Sequence, residues 1–128
     1  MTDVLWFGKP VPWKRTLGSG RRRYLHPAYR EWKDDFGWAA KVAHVGAPWD
    51  VPTVAYILVA ADGVRAEFTP LAEYPYLFPV VSAGRPKGLR SDLDNHVKAT
   101  LDSVQGIIIE DDRLIVSIAA AFVPTIRP

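Results

Sequence analysis

The stretch VPTVAYILVAADGVRAEF, residues 51–68, decides the fold because it joins two apolar segments through a tight turn. Residues 51–61 are mostly apolar or β-branched, a composition that favours a β-strand. Asp62 and Gly63 form a strong turn signal, and residues 64–68 supply a second strand. The sequence therefore predicts a β-hairpin around which a sheet is built.

Segments on both sides of this hairpin add strands and helices. A helix is predicted from Pro27 to about Gly46, because proline suits the first turn and apolar residues recur at helical spacing after it. Gly37 is a weak point inside this helix. A second helix is predicted from Asp92 to about Gln105. Further strands are predicted over residues 4–7, 77–82, 107–109 and 114–123. We expect one α+β domain over residues 1–128, with a mixed sheet and two main helices.

Composition limits the kinds of site and the cellular setting. The chain has 128 residues and no cysteine, which excludes disulfide bonds and thiolate metal sites. Its longest apolar runs, such as residues 53–61, are far shorter than the roughly 20 residues needed to cross a membrane. The N-terminus also lacks a signal-peptide pattern. We expect a soluble, cytoplasmic protein without a membrane partner.

The charges are unevenly distributed, although the formal net charge is only +2. Residues 9–30 include seven basic residues and no acidic one. Most of them lie in a loop rich in proline and glycine, residues 8–25, which we call the basic loop. Acidic residues gather instead in the second half of the chain. This separation suggests a polyanion bound at one surface and a cation at the other, whereas the alternative is that both are solvated surface.

Four of the five tryptophans are expected either in the core or in the basic loop. Trp6, Trp32 and Trp38 are expected in the core, because they have apolar neighbours or fall on the inner face of a helix. Trp13 lies between Pro12 and Lys14 in the basic loop. Its position leaves two readings equally open, a structural residue or one that stacks on a DNA base.

The second predicted helix carries the most informative residues, in DLDNHVKATLD, residues 92–102. Helical spacing predicts an apolar stripe for the core and a polar ridge beside it. The stripe comprises Leu93, Val97, Leu101 and Val104. The polar ridge comprises Asp94, Lys98, Asp102 and Gln105, with Asn95 at its margin. Capping by Asp92 and an Asp94–Lys98 ion pair would explain these charges without any function.

A second acidic group weakens that structural explanation. In IIIEDDRLIV, residues 107–116, the three acidic residues Glu110, Asp111 and Asp112 stand at a break between apolar segments. Carboxylates gathered there beside those of the helix N-terminus would repel one another unless a cation bound them. Oxygen ligands suit Mg²⁺ or Mn²⁺, and Lys98, one turn along the helix, would neutralise charge on a phosphate. The pattern indicates metal-assisted phosphodiester hydrolysis.

An EF-hand is excluded as a reading of the same acidic residues. A calcium loop beginning at Asp92 would need an oxygen ligand, a glycine and a glutamate at its fifth, sixth and twelfth places. Those places hold His96, Val97 and Ser103.

The stretch SDLDNHVKATLDSVQGIIIEDDRLIV, residues 91–116, resembles the signature of the RusA family of Holliday junction resolvases. That signature is D-[LI]-D-N, a lysine, an aspartate, a glycine-containing turn, an apolar strand and a D-D pair. The matching residues are Asp92, Asp94, Asn95, Lys98, Asp102, Gly106, Asp111 and Asp112. Residues 8–33 are also similar to the Pro- and Arg-rich opening of the family. The chain departs from the pattern at Leu114, where the family often has glutamine, and at Ser91, where many members have proline.

The resemblance implies an α+β endonuclease that acts as a homodimer on four-way DNA junctions, in DNA recombination and repair. It implies Mg²⁺ as the cofactor, with Mn²⁺ as a substitute, held by Asp92, Asp94 and Asp112. The catalytic lysine would be Lys98, which completes the catalytic set with these three aspartates. Support is expected from Asn95, Asp102 and Asp111, and the choice between the adjacent Asp111 and Asp112 as ligand stays open.

Basic residues of two loops are candidate contacts to DNA phosphates, and their binding should weaken steeply with salt. They are Lys14, Arg15, Arg21, Arg22, Arg23, Arg85, Lys87 and Arg90. Two alternative functions remain: a nuclease for other branched DNA such as flaps and forks, and a non-catalytic DNA-binding module.

Overall fold

Two helices pack on one face of a four-stranded sheet in the structure, a computed structural model that describes residues 1–18, 23–73, 88–89 and 91–128. The strands are β1 (Thr2–Phe7), β2 (Thr53–Ala60), β3 (Gly63–Pro70) and β4 (Ile115–Phe122). The helices are α1 (Pro27–Ala43) and α2 (Leu93–Val104). Within these ranges no helix is long and apolar enough to cross a membrane.

The sheet is mixed, with the strand order β1-β3-β2-β4. Strand β3 pairs antiparallel with both β1 and β2, and the predicted hairpin is confirmed by the pairing of Ala60 with Gly63. Strand β4 pairs parallel with β2. A parallel pair requires a crossover connection, and α2 lies within it. The predicted α+β class with a mixed sheet and two main helices is therefore confirmed.

A single apolar core joins the sheet to both helices. Tyr29, Trp32 and Phe36 of α1 are buried at the helical spacing that the sequence predicts. The Trp32 ring stacks on Phe36 at 5.2 Å and meets Trp6 edge-on at 5.8 Å between ring centroids. The expectation that Trp6 and Trp32 pack in the core is thus confirmed.

The expectation that Trp38 lies in the core is wrong. Its side chain is 66% exposed, because position 38 falls beside the buried stripe of α1 rather than on it. The neighbouring Gly37 is buried and does not break the helix. A Cβ atom at Gly37 would lie 3.4 Å from Cδ1 of Ile107, so this glycine is the point where α1 approaches the turn after α2.

Four further predictions of helices and strands had different outcomes. Helix α1 ends at Ala43 rather than near Gly46, because the backbone of the capping residue His44 is extended. The predicted strand over residues 107–109 is wrong: this segment turns back on the end of α2, and Ile109 makes only isolated bridges, to Trp49 and Gln105. The last strand is confirmed as β4, and the predicted strand over residues 77–82 lies outside the described residues.

The predicted apolar stripe of α2 is rotated relative to the face that the structure buries. The buried residues of α2 are His96, Ala99, Thr100, Ser103 and Val104. Of the predicted stripe only Val104 is fully buried, while Leu93, Val97 and Leu101 are partly buried and pack at the margin of the core. Small and polar residues occupy the innermost face because they allow α2 to approach α1 and the sheet closely.

Candidate functional site

Helix α2 begins with two exposed carboxylates. Asp92 is the N-cap residue, as predicted, but its side chain makes no capping hydrogen bond to the described helix. Asp94 follows in the first turn and is exposed. A purely structural explanation of these charges required an ion pair between Asp94 and Lys98. Both residues are described, and no ion pair joins them. Capping and helix pairing therefore do not account for these charges.

Lys98 extends over the ring of Trp13 instead. Its Nζ atom lies 4.0 Å from the ring centroid, a cation–π contact with a tryptophan that is partly buried against the core. The backbone N–H of Trp13 donates a hydrogen bond of 3.0 Å to the carbonyl oxygen of Asn95. The basic loop is therefore fixed to the first turns of α2, with Lys98 against the Trp13 ring.

Three of the predicted DNA-binding residues lie on the described part of the basic loop. Leu17 and Tyr24 pair through two backbone hydrogen bonds of 2.7 and 3.0 Å, which close the tip of the loop. Lys14, Arg15 and Arg23 lie on the described part of it, and Arg15 and Arg23 are exposed. The other five candidates, Arg21, Arg22, Arg85, Lys87 and Arg90, lie outside the described residues.

Asp102, further along the polar ridge, is held by α1. The hydroxyl of the buried Tyr29 donates a hydrogen bond of 2.6 Å to Asp102 Oδ2, and Lys33 Nζ lies 3.5 Å from the same oxygen. Gln105 donates a longer bond of 3.4 Å to Oδ1. Burial and the hydrogen bond to the Asp102 carboxylate raise the pKa of Tyr29 far above its usual value, so its hydroxyl stays protonated as a donor.

The second acidic group stands at a short 3₁₀ turn before β4. Asp111 caps this turn by accepting a 3.0 Å hydrogen bond from the backbone N–H of Arg113, which lowers the pKa of Asp111. The pKa of the neighbouring Asp112 is raised, by desolvation first and then by the carboxylates of Asp111 and Asp102. Asp102 of α2 is therefore near enough to this turn for its charge to affect the pKa of Asp112. The structure thus brings Asp102, Asp111 and Asp112 into one negatively charged region.

A metal site was predicted from Asp92, Asp94 and Asp112. Among the residues that the structure describes, no three acidic or histidine side chains lie close enough together to hold a metal ion. The donor chemistry nevertheless suits a hard divalent cation, because the donors are carboxylate oxygens. The ligand set stays a prediction.

His96 lies on the opposite face of α2 from the polar ridge. Its side chain is 2% exposed and its Nε2 atom has no hydrogen-bond partner in the described part of the chain. The imidazole meets Phe122 edge-on at 6.0 Å. Burial lowers the pKa of His96 to about 4, so the ring is neutral at neutral pH.

Sequence reasoning missed the residues that hold the ridge in place. Tyr29 and Lys33 contact Asp102 from α1, and Trp13 contacts Lys98 from the basic loop. Tyr29 and Lys33 are four residues apart, so they share a face of the helix. That spacing was visible in the sequence, but it does not show which element the face meets.

A comparison with known protein families matches nearly the whole chain. The sequence-family model described as Endodeoxyribonuclease RusA matches residues 8–128, nearly the whole chain. No curated protein and no solved structure matches the chain. The match includes both the basic loop and the two acidic groups.

Proposed function

Because the chain belongs to the RusA endodeoxyribonuclease family, we propose that it is a metal-dependent endonuclease that resolves four-way DNA junctions, in recombination and repair. The observation that carries the proposal is the position of Lys98. This lysine is held over Trp13 on the polar ridge of α2, a helix whose start carries the exposed carboxylates of Asp92 and Asp94. A fixed cation beside exposed carboxylates suits a phosphodiester bound through a divalent metal.

We assign the metal ligands to Asp92, Asp94 and Asp112. Bound Mg²⁺, or Mn²⁺ as its substitute, would polarise the scissile phosphate and activate the attacking water. Lys98 neutralises the additional negative charge that develops on the phosphate oxygens. Trp13 restricts the long lysine side chain to the surface of α2, so less side-chain freedom is lost when the phosphate arrives.

The remaining acidic residues support this set. Asp102 is oriented by Tyr29 and Lys33, and its charge acts on Asp112. Asp111 is occupied by the backbone N–H of Arg113, which favours Asp112 over Asp111 as the ligand. We therefore assign Asp102 and Asp111 as positioning residues, together with Asn95, whose carbonyl oxygen holds the basic loop.

DNA binding is assigned to the basic loop and to the second basic segment, residues 85–90. Lys14, Arg15 and Arg23 lie on a loop that is fixed to α2, so phosphates bound there would pass beside Lys98. Affinity for a junction should fall steeply between roughly 50 and 200 mM salt, as counterion release requires. An affinity that did not change with salt would remove this role.

We propose that the active form is a homodimer. A four-way junction has approximate two-fold symmetry, which an isologous dimer matches. Each protomer would cut one of two symmetric strands.

The decisive experiment uses a labelled four-way junction with Mg²⁺ and the variants Asp112→Asn and Glu110→Gln. Asp112→Asn should bind the junction without cutting it, because the amide keeps the shape but loses the charge that holds the metal. Glu110→Gln is the matched control, since Glu110 is an exposed acidic residue of the same segment without an assigned role. Full cleavage by Asp112→Asn would remove Asp112 from the site.

The same assay separates the alternative functions. Faster cleavage of flaps or forks than of four-way junctions would indicate a nuclease for other branched DNA. Salt-dependent binding by the wild-type protein without nicking in Mg²⁺ or Mn²⁺ would indicate a non-catalytic DNA-binding module.

A further inference from the structure

A cavity of about 540 Å³ lies between the basic loop and the side of α2 that faces away from the polar ridge. Its lining includes Lys9, Val11 and Lys14 of the basic loop, Ala28 at the start of α1, and Leu89 and His96. Two prolines of the basic loop complete an apolar wall. The volume lies in the range of pockets that bind small molecules and cofactors.

His96 distinguishes this cavity from a packing defect. The side chain is 2% exposed, and its Nε2 atom is buried without a hydrogen-bond partner in the described residues. The other buried polar residues of α2 are satisfied within the helix: Thr100 and Ser103 donate to carbonyl oxygens one turn earlier. A buried polar nitrogen without a partner is costly, and because His96 also lines the cavity, a ligand bound there could supply the missing hydrogen bond.

The lining also indicates the class of ligand. Mostly apolar walls with a few polar groups, from His96 and Ser91, suit a flat heterocycle, whose faces are apolar and whose edge carries donors and acceptors. Lys9 and Lys14 add positive charge for an adjoining phosphate. A nucleobase with its backbone phosphate combines these three properties.

We propose that this cavity binds one unstacked nucleobase of the DNA substrate, with His96 bonded to the base edge and Lys9 and Lys14 near its phosphates. The inference rests on the proposed function in one respect, since it takes DNA as the ligand. Bases next to a branch point are the easiest to unstack, because part of their stacking is already lost.

Position on the helix predicts what the cavity does. His96 and Lys98 are two residues apart in the sequence, and their side chains leave α2 in directions about 200° apart. The bound base would therefore lie near the cleaved bond but on the other side of the helix. A site that hydrogen-bonds one base edge rejects bases that leave the buried group unpaired. The cavity would therefore set a preference for one base at one position near the branch point.

The test uses four-way junctions that each carry a single 2-aminopurine at one position near the branch point, in buffer without divalent metal. Emission from 2-aminopurine rises when the base leaves the stack. With the wild-type protein, one position should brighten several-fold. His96→Leu and Ala28→Leu should each lose most of that increase at junction concentrations that saturate binding.

The two variants act in different ways. His96→Leu removes the base contact, whereas Ala28→Leu narrows the cavity from an exposed helix position where leucine is well tolerated. Ala28→Leu therefore decides the question if His96→Leu does not fold. Val42→Leu is the matched control, because Val42 is an exposed residue at the far end of α1 and should brighten the base as the wild type does.

Two results would overturn the proposal: no position brightens with the wild type, or both variants brighten the base as strongly as Val42→Leu. The readout needs neither metal nor cleavage. A protein that brightens one base but cuts no junction would contradict the proposed nuclease and support the base site. A protein that cuts junctions but brightens no base would overturn the base site alone.

Discussion

The polar side chains on the two faces of helix α2 are held by different kinds of contact. On the exposed face, Lys98 lies 4.0 Å from the Trp13 ring centroid and Asp102 accepts a 2.6 Å bond from Tyr29, so both are held by other elements. On the buried face, Thr100 and Ser103 donate bonds of 2.9 and 2.7 Å to carbonyl oxygens of their own helix. Polar residues can thus be buried through local bonds, whereas these polar side chains on the solvent-facing side are held by tertiary contacts.

The largest effect is expected at Lys98. Lys98→Ala should lower the cleavage rate of a four-way junction by about 10²- to 10³-fold, because one fixed donor to the developing charge is lost. Lys41→Ala is the matched control: Lys41 also lies over a tryptophan, at 5.0 Å from Trp38, but this ring is exposed. Single-turnover cleavage measures both. An equal loss of cleavage rate in Lys98→Ala and Lys41→Ala would contradict the distinction between the Lys98–Trp13 contact and the exposed Lys41–Trp38 contact.

His96 is expected to make stability depend on pH. Burial lowers its pKa from 6.5 to about 4, so the unfolded chain takes up a proton at higher pH than the folded chain does. This contribution to the free energy of unfolding is fully present above about pH 6.5 and is lost as the pH falls towards 4, by up to roughly 3 kcal/mol. His96→Leu should reduce the slope of stability against pH in this window, as measured by denaturant unfolding. An unchanged slope would contradict the assignment.

Trp13 tests whether the contact under Lys98 positions that residue. Trp13→Leu should lower kcat by roughly tenfold, equivalent to about 1.4 kcal/mol, with a smaller change in KM. Trp13→Phe should restore much of the rate, because it returns an aromatic face to the ammonium group. Trp38→Leu is the control on the exposed pair and should leave kcat within twofold. If Trp13 had only a structural role, its variants would lower the thermal stability, and kcat would not decrease in the order wild type, Trp13→Phe, Trp13→Leu.

The smallest effect is expected at Tyr29. Tyr29→Phe removes the donor to Asp102 and should lower the free energy of unfolding by about 1 kcal/mol, since a partly buried hydrogen bond is lost. Cleavage should fall only a few-fold, because Asp102 keeps its contact with Lys33. Denaturant unfolding and the junction assay measure the two changes. A loss as large as that of Lys98→Ala would mean that Asp102 is itself catalytic.

Much of the fold is predictable from the sequence because it depends on local pattern. The hairpin, the start of α1 and the place of α2 follow from a turn signal and helical spacing. The buried face of α2 does not, because a hydropathy pattern ranks Thr100 and Ser103 as polar although their hydroxyls bond within the helix. Trp38 is misplaced for a related reason, since neighbouring positions on a helix differ by about 100° and one shift changes core into surface.

The candidate site was likewise predictable from the sequence only in part. The residues that we assign to metal and phosphate appear in two short acidic stretches and match a family signature. The contacts that hold them join segments far apart in the chain: Trp13 with Lys98, and Tyr29 with Asp102. Spacing along a sequence does not reveal which distant elements meet, so these partners needed the three-dimensional structure.

The parallel pairing of β2 with β4 has a consequence for the order of folding. The β2–β3 hairpin closes over a two-residue turn and can form early. Strand β4 can pair with β2 only when a connection of more than fifty residues has closed. Asp112 lies immediately before β4, and Asp92 lies at the start of the helix within that crossover. The two acidic groups therefore reach their final positions only when this long-range contact of the sheet is made. A partly folded chain could hold the hairpin before the site that we propose is assembled.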